Sequence, residues 1–406
     1  MADAFTRKVT IGVVAVAVVA GGLIGLAVAN GGSTAKPTGS PIAQASTAVT
    51  PGSTDTPGPT SSPTATASPT PTPSPTPVPT PVLVPAPMTG ELVTPTAAAR
   101  HPIAVMVDDL GPARPQSGFN SASVVWQAPA EGGIPRYMMI FQDQIPVSIG
   151  PIRSSRYYYI AWAAEWKALY AHVGGSPQAM ATLKAQGAGQ LVYNADEFRW
   201  GGYFHRISQR NAPHNMYTEG KRLRTLARRI GATDGPMEAV WKFAADAPLD
   251  QRPKGGTILV KYPDNNVKYA YDRTTNTYYR GVSGEVKQVD AATGERVHPK
   301  NVVVMIMKFG PLNDGHPNKH RLEAQVVGQG KAFIATNGHT IAGTWRKKSM
   351  TAPTLFYDAN GHQVTLTVGQ TFVQVIADSS NYSVSYTDGV VPVPGASGSP
   401  TPSATP

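Results

Sequence analysis

A long stretch near the N-terminus limits how much of this chain can build a hydrophobic core. Residues 33–88 consist mainly of Thr, Pro, Ser, Ala and Gly, and Lys36 and Asp55 are their only charged side chains. A segment so rich in proline forms an extended, semi-rigid spacer, and it has too few apolar side chains to bury. We therefore predict a disordered Pro/Thr/Ser-rich stalk over residues 30–90, and a folded part confined to about residues 91–382.

An apolar segment precedes this stalk. Residues 9–29, VTIGVVAVAVVAGGLIGLAVA, carry no charge and are long enough for one transmembrane helix. A cleaved signal peptide is the alternative, because residues 27–29, Ala-Val-Ala, have the small-x-small form of a cleavage site. The basic residues Arg7 and Lys8 predict that residues 1–8 are cytoplasmic and that the rest is outside. The expected location is the cell membrane, with a single pass, or secretion if the segment is cleaved.

Composition and charge narrow the range of partners. The sequence has no cysteine, which excludes disulfides, thiolate metal sites and a lipid-modified cysteine. Lys and Arg number 35 against 25 Asp and Glu, a formal net charge of +10 that lies almost wholly outside the stalk. A basic domain outside the membrane attracts anionic polymers. An anionic cell-envelope polymer or peptidoglycan is therefore the expected partner. Nucleic acid is not expected, because no zinc motif, recognition helix or RNP-like strand is present. The oligomeric state stays open.

Apolar runs alternate with helical patterns over residues 91–252. Strands are predicted at residues 102–107, 122–128, 136–142 and 168–173, and helices at residues 157–167 and 176–187. In the second of these helices Ser176 is the expected cap and Pro177 fits the first turn. Strands that alternate with helices predict an α/β N-terminal domain.

A third helix is predicted to begin at Thr218. Leu223 and Leu226 share one face of it, which we expect to be buried. Its basic side chains are assigned to a solvated face, with contact to a membrane or polymer as the alternative; they are Lys221, Arg222, Arg224, Arg228 and Arg229.

From about residue 253 the pattern changes to short strands. Asn337-Gly338 and Asn360-Gly361 stand between such strands, where tight hairpin turns belong. We predict a β-rich C-terminal domain over residues 253–382, followed by a disordered tail over residues 383–406.

The polar residues that suggest a function lie in the first of these domains. Asp108 and Asp109 follow the first strand, at the edge where α/β proteins collect ligands. Arginines follow in the loops, and a histidine precedes a Gly-Gly-Ser helix start whose free N–H groups suit an anion. The predicted ligand-binding residues are Asp108, Asp109, Arg114, Glu131, Arg136, Arg153, Arg156, His172, Gly174, Gly175, Ser176, His214 and Asn215.

Each of these residues also has a structural interpretation. Arginines beside acids commonly form ion pairs, His172 lies in an apolar strand that is typical of a core histidine, and His214 follows a proline that it would help to brace. The acids suit a divalent cation, but their spacing is not diagnostic, so no metal site and no cofactor is assigned. No G-x-S-x-G, H-E-x-x-H or Walker-type motif occurs, so no catalytic residue is assigned.

Several segments carry a family resemblance. PIAVMVDDLGPARPQSGFN, IGPIRSSRYYYIAWA, YAHVGGSPQA and APHNMYT resemble the N-terminal domain of the YerB-like lipoproteins, a bacterial domain-of-unknown-function family (DUF3048). NVVVMIMKFG, GQGKAFIATNGHTIAGTWRKKS and GQTFVQV resemble the C-terminal domain of that family. The resemblance covers nearly all of residues 91–382 and implies an envelope location without an established reaction. The family's lipoprotein cysteine is absent here, so the apolar N-terminal segment is the expected anchor.

A looser similarity of layout connects the same residues with the LytR-CpsA-Psr wall-polymer transferases. In those enzymes acids after an early strand, together with arginines, hold a polyprenyl pyrophosphate and Mg²⁺. The order of Asp108, Arg114, PIRSSR and YAHVGG follows a comparable course, without a matching core motif.

Three functions follow from these observations. The first is a membrane-tethered binding module for an anionic envelope ligand, with a cleft formed by Arg114, Arg136, Arg153 and Arg156. The second is a metal-assisted phosphotransferase or phosphate-ester enzyme acting on wall-polymer precursors, in which Asp108 or Asp109 holds the metal. The third is a non-enzymatic envelope scaffold. In the binding module, Arg153 and Arg156 are expected to share one helical face, because they lie three residues apart near a helix start.

Overall fold

The structure is a computed structural model that describes residues 82–392. The predicted segments 1–8 and 9–29, the predicted stalk up to residue 81 and the chain from residue 393 onward lie outside the described residues. Over residues 82–392, no helix combines the length and the apolar character that crossing a membrane requires.

The N-terminal part of the described chain alternates strands and helices. In chain order its elements are β1 (Val84–Pro85), β2 (Leu92–Val93), α1 (Pro95–Ala98), β3 (Ile103–Asp108), β4 (Val124–Pro129), β5 (Pro135–Phe141), α2 (Tyr157–Ala163), β6 (Leu169–His172), α3 (Pro177–Ala185), β7 (Tyr193–Asp196), α4 (Glu197–Trp200), β8 (His205–Arg206), β9 (Met216–Tyr217) and α5 (Gly220–Arg229).

The remaining regular elements, apart from short 3₁₀ turns, are strands. They are β10 (Lys242–Ala244), β11 (Lys254–Tyr262), β12 (Asn265–Asp272), β13 (Thr277–Val282), β14 (Asn301–Met307), β15 (Phe309–Pro311), β16 (Leu322–Ala324), β17 (Gly328–Thr336), β18 (His339–Lys347), β19 (Leu355–Tyr357), β20 (Thr365–Thr367), β21 (Thr371–Ala377) and β22 (Ser383–Val390). The β-rich character predicted for this part of the chain is therefore confirmed.

One ten-stranded sheet crosses both halves of the described chain. Its order is β19-β18-β17-β14-β21-β4-β5-β3-β6-β7. The two halves join where β21 pairs with β4 in parallel, with Phe372 opposite Val125. A second, antiparallel sheet has the order β13-β12-β11-β22. The α/β part and the β-rich part thus contribute neighbouring strands to one continuous sheet.

Two apolar layers cover the two faces of the ten-stranded sheet, as the alternation of side chains along a strand requires. One face packs against α2, whose residues Tyr158 to Ala163 are all buried. The opposite face packs against Leu223 and Leu226 of α5 and against the second sheet through residues such as Val260. This arrangement fixes the positions of the strand ends, and the residues of the candidate site lie at those ends.

The capped helix and the first hairpin turn agree with their predictions. Ser176 is the N-cap of α3, and its hydroxyl accepts a hydrogen bond from the Ala179 N–H at 3.3 Å. Asn337 and Gly338 connect β17 to β18 with φ angles of 50° and 77°, the left-handed conformation that these residue types adopt most readily.

Two predicted boundaries are wrong. Residues 82–90, assigned to the stalk, contain β1, and Ala86 and Met88 are buried. Residues 383–390, assigned to the disordered tail, form β22, which pairs with β11 along most of its length. The sequence pattern misses β22 because this strand is held by backbone hydrogen bonds and most of its side chains are exposed.

The third helix also differs from its prediction. Its N-cap is Glu219, and the Thr218 hydroxyl instead donates a hydrogen bond to the Tyr203 carbonyl at 2.7 Å. Arg224, assigned to the solvated face, is buried and donates hydrogen bonds to the carbonyls of His101 and Gln142. An arginine can be buried on this face because backbone carbonyls accept hydrogen bonds from its guanidinium group.

Candidate functional site

The site begins where β3 ends beside β5. Asp108, the last residue of β3, is the register partner of Arg136 near the start of β5. Antiparallel partners project to the same face of a sheet, so an acid and a base enter the same region from neighbouring strands. The loops after β4 and β5 bring further charged side chains to this end of the sheet.

Asp108 is almost completely buried, and it is surrounded by donors. Its Oδ2 lies 2.7 Å from Nδ1 of His214 and 3.1 Å from Nε of Arg153, the latter an ion-pair distance without hydrogen-bond alignment. Its Oδ1 accepts a hydrogen bond from the Leu110 N–H at 3.2 Å. The carboxylate therefore anchors a histidine and an arginine from two different loops.

Glu131 joins two further arginines. Its Oε2 accepts a hydrogen bond from Arg156 at 2.5 Å and lies 3.6 Å from a guanidinium nitrogen of Arg136. Burial alone would raise the pKa of Glu131, but the hydrogen bond and the charge of Arg156, with the charge of Arg136, hold it below its ordinary value. Arg136 also donates to the Ser154 carbonyl at 2.9 Å.

We call Arg136, Arg153, Arg156, Asp108 and Glu131 the arginine cluster. Three guanidinium groups face two carboxylates, which leaves one formal positive charge in excess. Burial lowers the pKa of Arg136 to about 10, and the neighbouring charge of Arg156 acts in the same direction, so these arginines repel one another while staying protonated at neutral pH. Like charges packed together in this way are favourable sites for an additional anion.

Arg153 is the most accessible arginine of the cluster. Its side chain is 20% exposed, compared with 12% for Arg136 and 8% for Arg156. Among the described residues only Asp108 approaches it as an ion-pair partner, and it does so through Nε and not through the terminal nitrogens. A guanidinium group held by one edge can present the other edge to a phosphate or carboxylate.

The predicted shared helical face does not explain the positions of Arg153 and Arg156. Arg156 is the N-cap of α2, with extended φ and ψ angles of −130° and 151°, so the two residues do not share a helical face. Instead, residues 153–155 run beside residues 173–176, with hydrogen bonds from Val173 N to the Arg153 carbonyl and from Ser155 N to the Gly174 carbonyl. This pairing holds both arginines at the end of the sheet.

The Gly-Gly-Ser loop lies next to the cluster, but several of its donors are used inside the protein. The Gly174 N–H donates to Asp196 at 3.1 Å, and the Ser176 N–H donates to the Ser155 carbonyl. A side chain at residue 175 would lie 3.2 Å from the Ser155 carbonyl, so Gly175 permits the close approach of the two segments. The loop thus packs against residues 153–155 and supports the backbone that carries the arginines.

Asp109 and Arg114 belong to a different group. The two side chains form an ion pair at 2.9 Å, and Arg114 also donates to the Ser283 carbonyl. The second oxygen of Asp109 accepts hydrogen bonds from Gln127 at 2.6 Å and Asn265 at 3.1 Å. Burial raises the pKa of Asp109, although the nearby arginines oppose the rise. The predicted set of four arginines is therefore divided: three lie in the arginine cluster, and Arg114 lies with Asp109.

Arg280 is a buried residue that the sequence analysis missed. It donates hydrogen bonds to the hydroxyls of Tyr269 and Tyr137 at 2.9 and 3.1 Å and to the Gln127 side chain at 2.5 Å. Its partners lie in both halves of the chain, and Gln127 links it to Asp109. No local pattern around residue 280 indicates these contacts, because they arise only when the two sheets pack.

His172 and Asn215 take no part in the hydrogen bonds and ion pairs described above for the arginine cluster. His172 is fully buried; its Nδ1 lies 2.7 Å from the Gly174 carbonyl and its Nε2 lies 2.8 Å from the Asn194 side chain. Burial lowers the pKa of His172, as expected for a neutral core histidine. The Asn215 carbonyl oxygen accepts a hydrogen bond from Arg206 at 2.7 Å, which braces its loop.

Over residues 82–392, no group of three or more His, Asp or Glu side chains has an arrangement that could hold a metal ion. Asp108 and Asp109 illustrate the reason, because their oxygens are directed at separate sets of nitrogen donors.

Comparison with known proteins identifies the family. Residues 88–233 match the N-terminal domain of the protein of unknown function family DUF3048, and residues 258–373 match its C-terminal domain. The Bacillus subtilis (strain 168) protein named "Putative lipoprotein YerB" is 28% identical over 310 residues, 75% of this chain and 89% of the relative. The crystal structure of YerB protein from Bacillus subtilis matches with a TM-score of 0.65 and 25% identity, over 74% of this chain and 99% of that one. This chain therefore belongs to the DUF3048 family, with both of its domains.

Proposed function

We propose that this protein is a membrane-associated envelope protein that binds an anionic cell-envelope ligand at the arginine cluster. The observation that carries the proposal is the imbalance of charge around Arg153. Three arginines converge on two carboxylates, and the most exposed guanidinium group has a single carboxylate partner among the described residues. Phosphate and carboxylate groups suit such a site, because a guanidinium group binds them with two parallel hydrogen bonds.

The relative from Bacillus subtilis supports the location. Its name describes it as a lipoprotein, and the two chains align over most of their length. The present sequence has no cysteine to carry a lipid, so we propose that residues 9–29 tether it to the membrane instead. N-terminal sequencing of protein extracted from membranes tests this: a chain that begins at Asn30 would show cleavage and would overturn the tether.

An enzymatic role has less support from the geometry. A metal-assisted phosphotransferase needs carboxylate oxygens that are open to a cation. Asp108 is directed at His214 and Arg153, and Asp109 is directed at Arg114, Gln127 and Asn265. The oxygens of both acids are thus occupied by cationic or neutral donors. Such contacts are typical of acids that position the basic side chains around them. The non-enzymatic scaffold has no specific contact in its favour.

The test is binding of the full chain to a purified phosphate-bearing wall polymer over a range of salt concentrations. We expect saturable, salt-sensitive binding that Arg153→Ala weakens about ten- to a hundred-fold, the effect of losing one charge-assisted contact of roughly 1.5–3 kcal/mol. Arg346→Ala is the matched control, because it removes the same charge from an exposed arginine that stacks on Tyr357. Equal losses in the two variants would mean that only net charge attracts the polymer and would overturn the proposed site.

A further inference from the structure

A second candidate site lies at the opposite edge of the sheet from β19, beside β7. A cavity of about 590 Å³ opens between α3, β7, α4 and the end of α5. This volume falls within the range of pockets that bind small molecules. The cavity shares no lining residue with the arginine cluster.

Part of the lining of this cavity is apolar. It includes Leu183 of α3, Val192 before β7 and Ile230 after α5, together with the indole of Trp200. Leu183 is 5% exposed and Val192 is fully buried, so the apolar side of the cavity is continuous with the hydrophobic core. An apolar group of a ligand would therefore be buried against preformed surface.

The rim of the cavity is basic. Lys184, Arg199 and Arg229 line it, and no Asp or Glu side chain does. Arg199 and Arg229 lie over the Trp200 ring, 5.1 and 5.5 Å from its centre, which keeps both guanidinium groups at the rim. The ion pairs of α5 are made by other residues, Arg222 with Glu219 and Arg224 with Asp234. The rim thus carries three positive charges without a neighbouring carboxylate in its lining.

From these observations we propose that the cavity binds a small amphipathic anion, an apolar chain or ring that carries a phosphate or carboxylate group. The apolar part packs against Met180, Leu183 and Ile230. The anionic head contacts Arg199, Arg229 and Lys184. The site is separate from the one in the proposed function and does not depend on it.

The test uses two probes of this class, hexyl phosphate and hexanoate, with inorganic phosphate and hexanol as probes of the separate head and chain. Binding to the full chain is measured by titration calorimetry. We expect at least one amphipathic probe to bind tenfold more tightly than both phosphate and hexanol. The double variant Arg199→Ala/Arg229→Ala should weaken that binding at least tenfold.

Two control variants make the result interpretable. Arg222→Ala removes an exposed positive charge from the same helix, and Arg153→Ala removes one from the arginine cluster; both should leave probe binding within twofold of the unmodified chain. The proposal is overturned if neither amphipathic probe binds saturably, if the double variant binds like the unmodified chain, or if Arg222→Ala loses as much affinity as the double variant. Loss of wall-polymer binding in Arg153→Ala with unchanged probe binding separates this site from the first.

Discussion

Asp108 and His214 are 106 residues apart in the chain, yet Oδ2 of the carboxylate lies 2.7 Å from Nδ1 of the imidazole. The same oxygen is 3.1 Å from Nε of Arg153, so one buried acid holds a loop histidine and the most accessible arginine of the cluster. This contact gives Asp108 a positioning role in the binding hypothesis, whereas the enzymatic hypothesis requires the same carboxylate to hold a metal. The two roles predict opposite effects of removing its charge.

Asp108→Asn keeps the shape of the side chain and removes its negative charge. In a binding site, the loss of a carboxylate near the ligand should leave polymer affinity unchanged or raise it by a fewfold, because the cluster then carries a larger excess of positive charge. We expect a stability loss of about 1–3 kcal/mol, since Arg153 and His214 lose the negative charge that they share. Polymer binding and thermal unfolding measure the two effects.

Asp358→Asn is the control for this change, because that acid is hydrogen-bonded within its own exposed turn. Pyrophosphate release from a polyprenyl-linked donor, with and without Mg²⁺, is measured in parallel. Turnover in the unmodified chain that Asp108→Asn abolishes would sink the binding-only interpretation and favour the phosphotransferase.

A second prediction concerns the buried pair of Glu165 and Lys347, whose side chains are fully buried and 2.8 Å apart. Lys347→Met leaves the Glu165 carboxylate without its counter-charge, and burial already raises the pKa of this acid. We expect a loss of about 3–5 kcal/mol in the free energy of unfolding. Lys348→Met, the same change at the exposed neighbour, should alter it by less than about 0.5 kcal/mol.

The double variant Glu165→Leu/Lys347→Met tests the cause of that loss. Because it removes both charges, it should recover much of the stability that Lys347→Met loses. Denaturant unfolding of the three variants gives the comparison. If Lys347→Met costs less than about 1 kcal/mol, or if the double variant is no more stable than the single one, the pair does not contribute as the structure indicates.

Local patterns were sufficient for the elements that carry the core. The run at residues 102–107 predicts β3, and the Ser176-Pro177 start predicts α3, because side-chain periodicity and capping chemistry act over a few residues. They were insufficient for β22, whose exposed side chains leave no apolar alternation and whose place depends on backbone pairing with β11. The same limit applies to the buried Arg224, which is stabilised by backbone carbonyls from elsewhere in the chain.

The site shows a similar division. Glu131, Arg136, Arg153 and Arg156 lie within 26 positions of one another, and their closeness in the sequence predicts one site. The sequence also predicts Arg114 in that site, because Asp108 and Asp109 are adjacent and read as one feature. Asp108 and Asp109 in fact contact separate groups, and Arg114 forms its ion pair with Asp109. The contacts of Asp109 with Asn265 and Gln127 depend on the packing of the two sheets, which no short motif records.

The last prediction concerns the dependence of stability on pH at Glu131. Burial opposes ionisation of this carboxyl, but the hydrogen bond and charge of Arg156, with the charge of Arg136, lower its pKa below the ordinary value of 4.5. A carboxyl whose pKa is lower in the folded state adds stability that is fully present above its unfolded pKa. That stability disappears as the pH falls through the pKa of the folded state.

Glu131→Gln should therefore be less stable than the unmodified chain at pH 6, and the difference should shrink between pH 4.5 and more acidic values. Urea unfolding at several pH values measures this difference, with Glu238→Gln, an exposed acid, as the control. A difference that stays constant down to pH 3 would show that Glu131 contributes through its shape or hydrogen bonds and that its charge has no part in holding the arginines together.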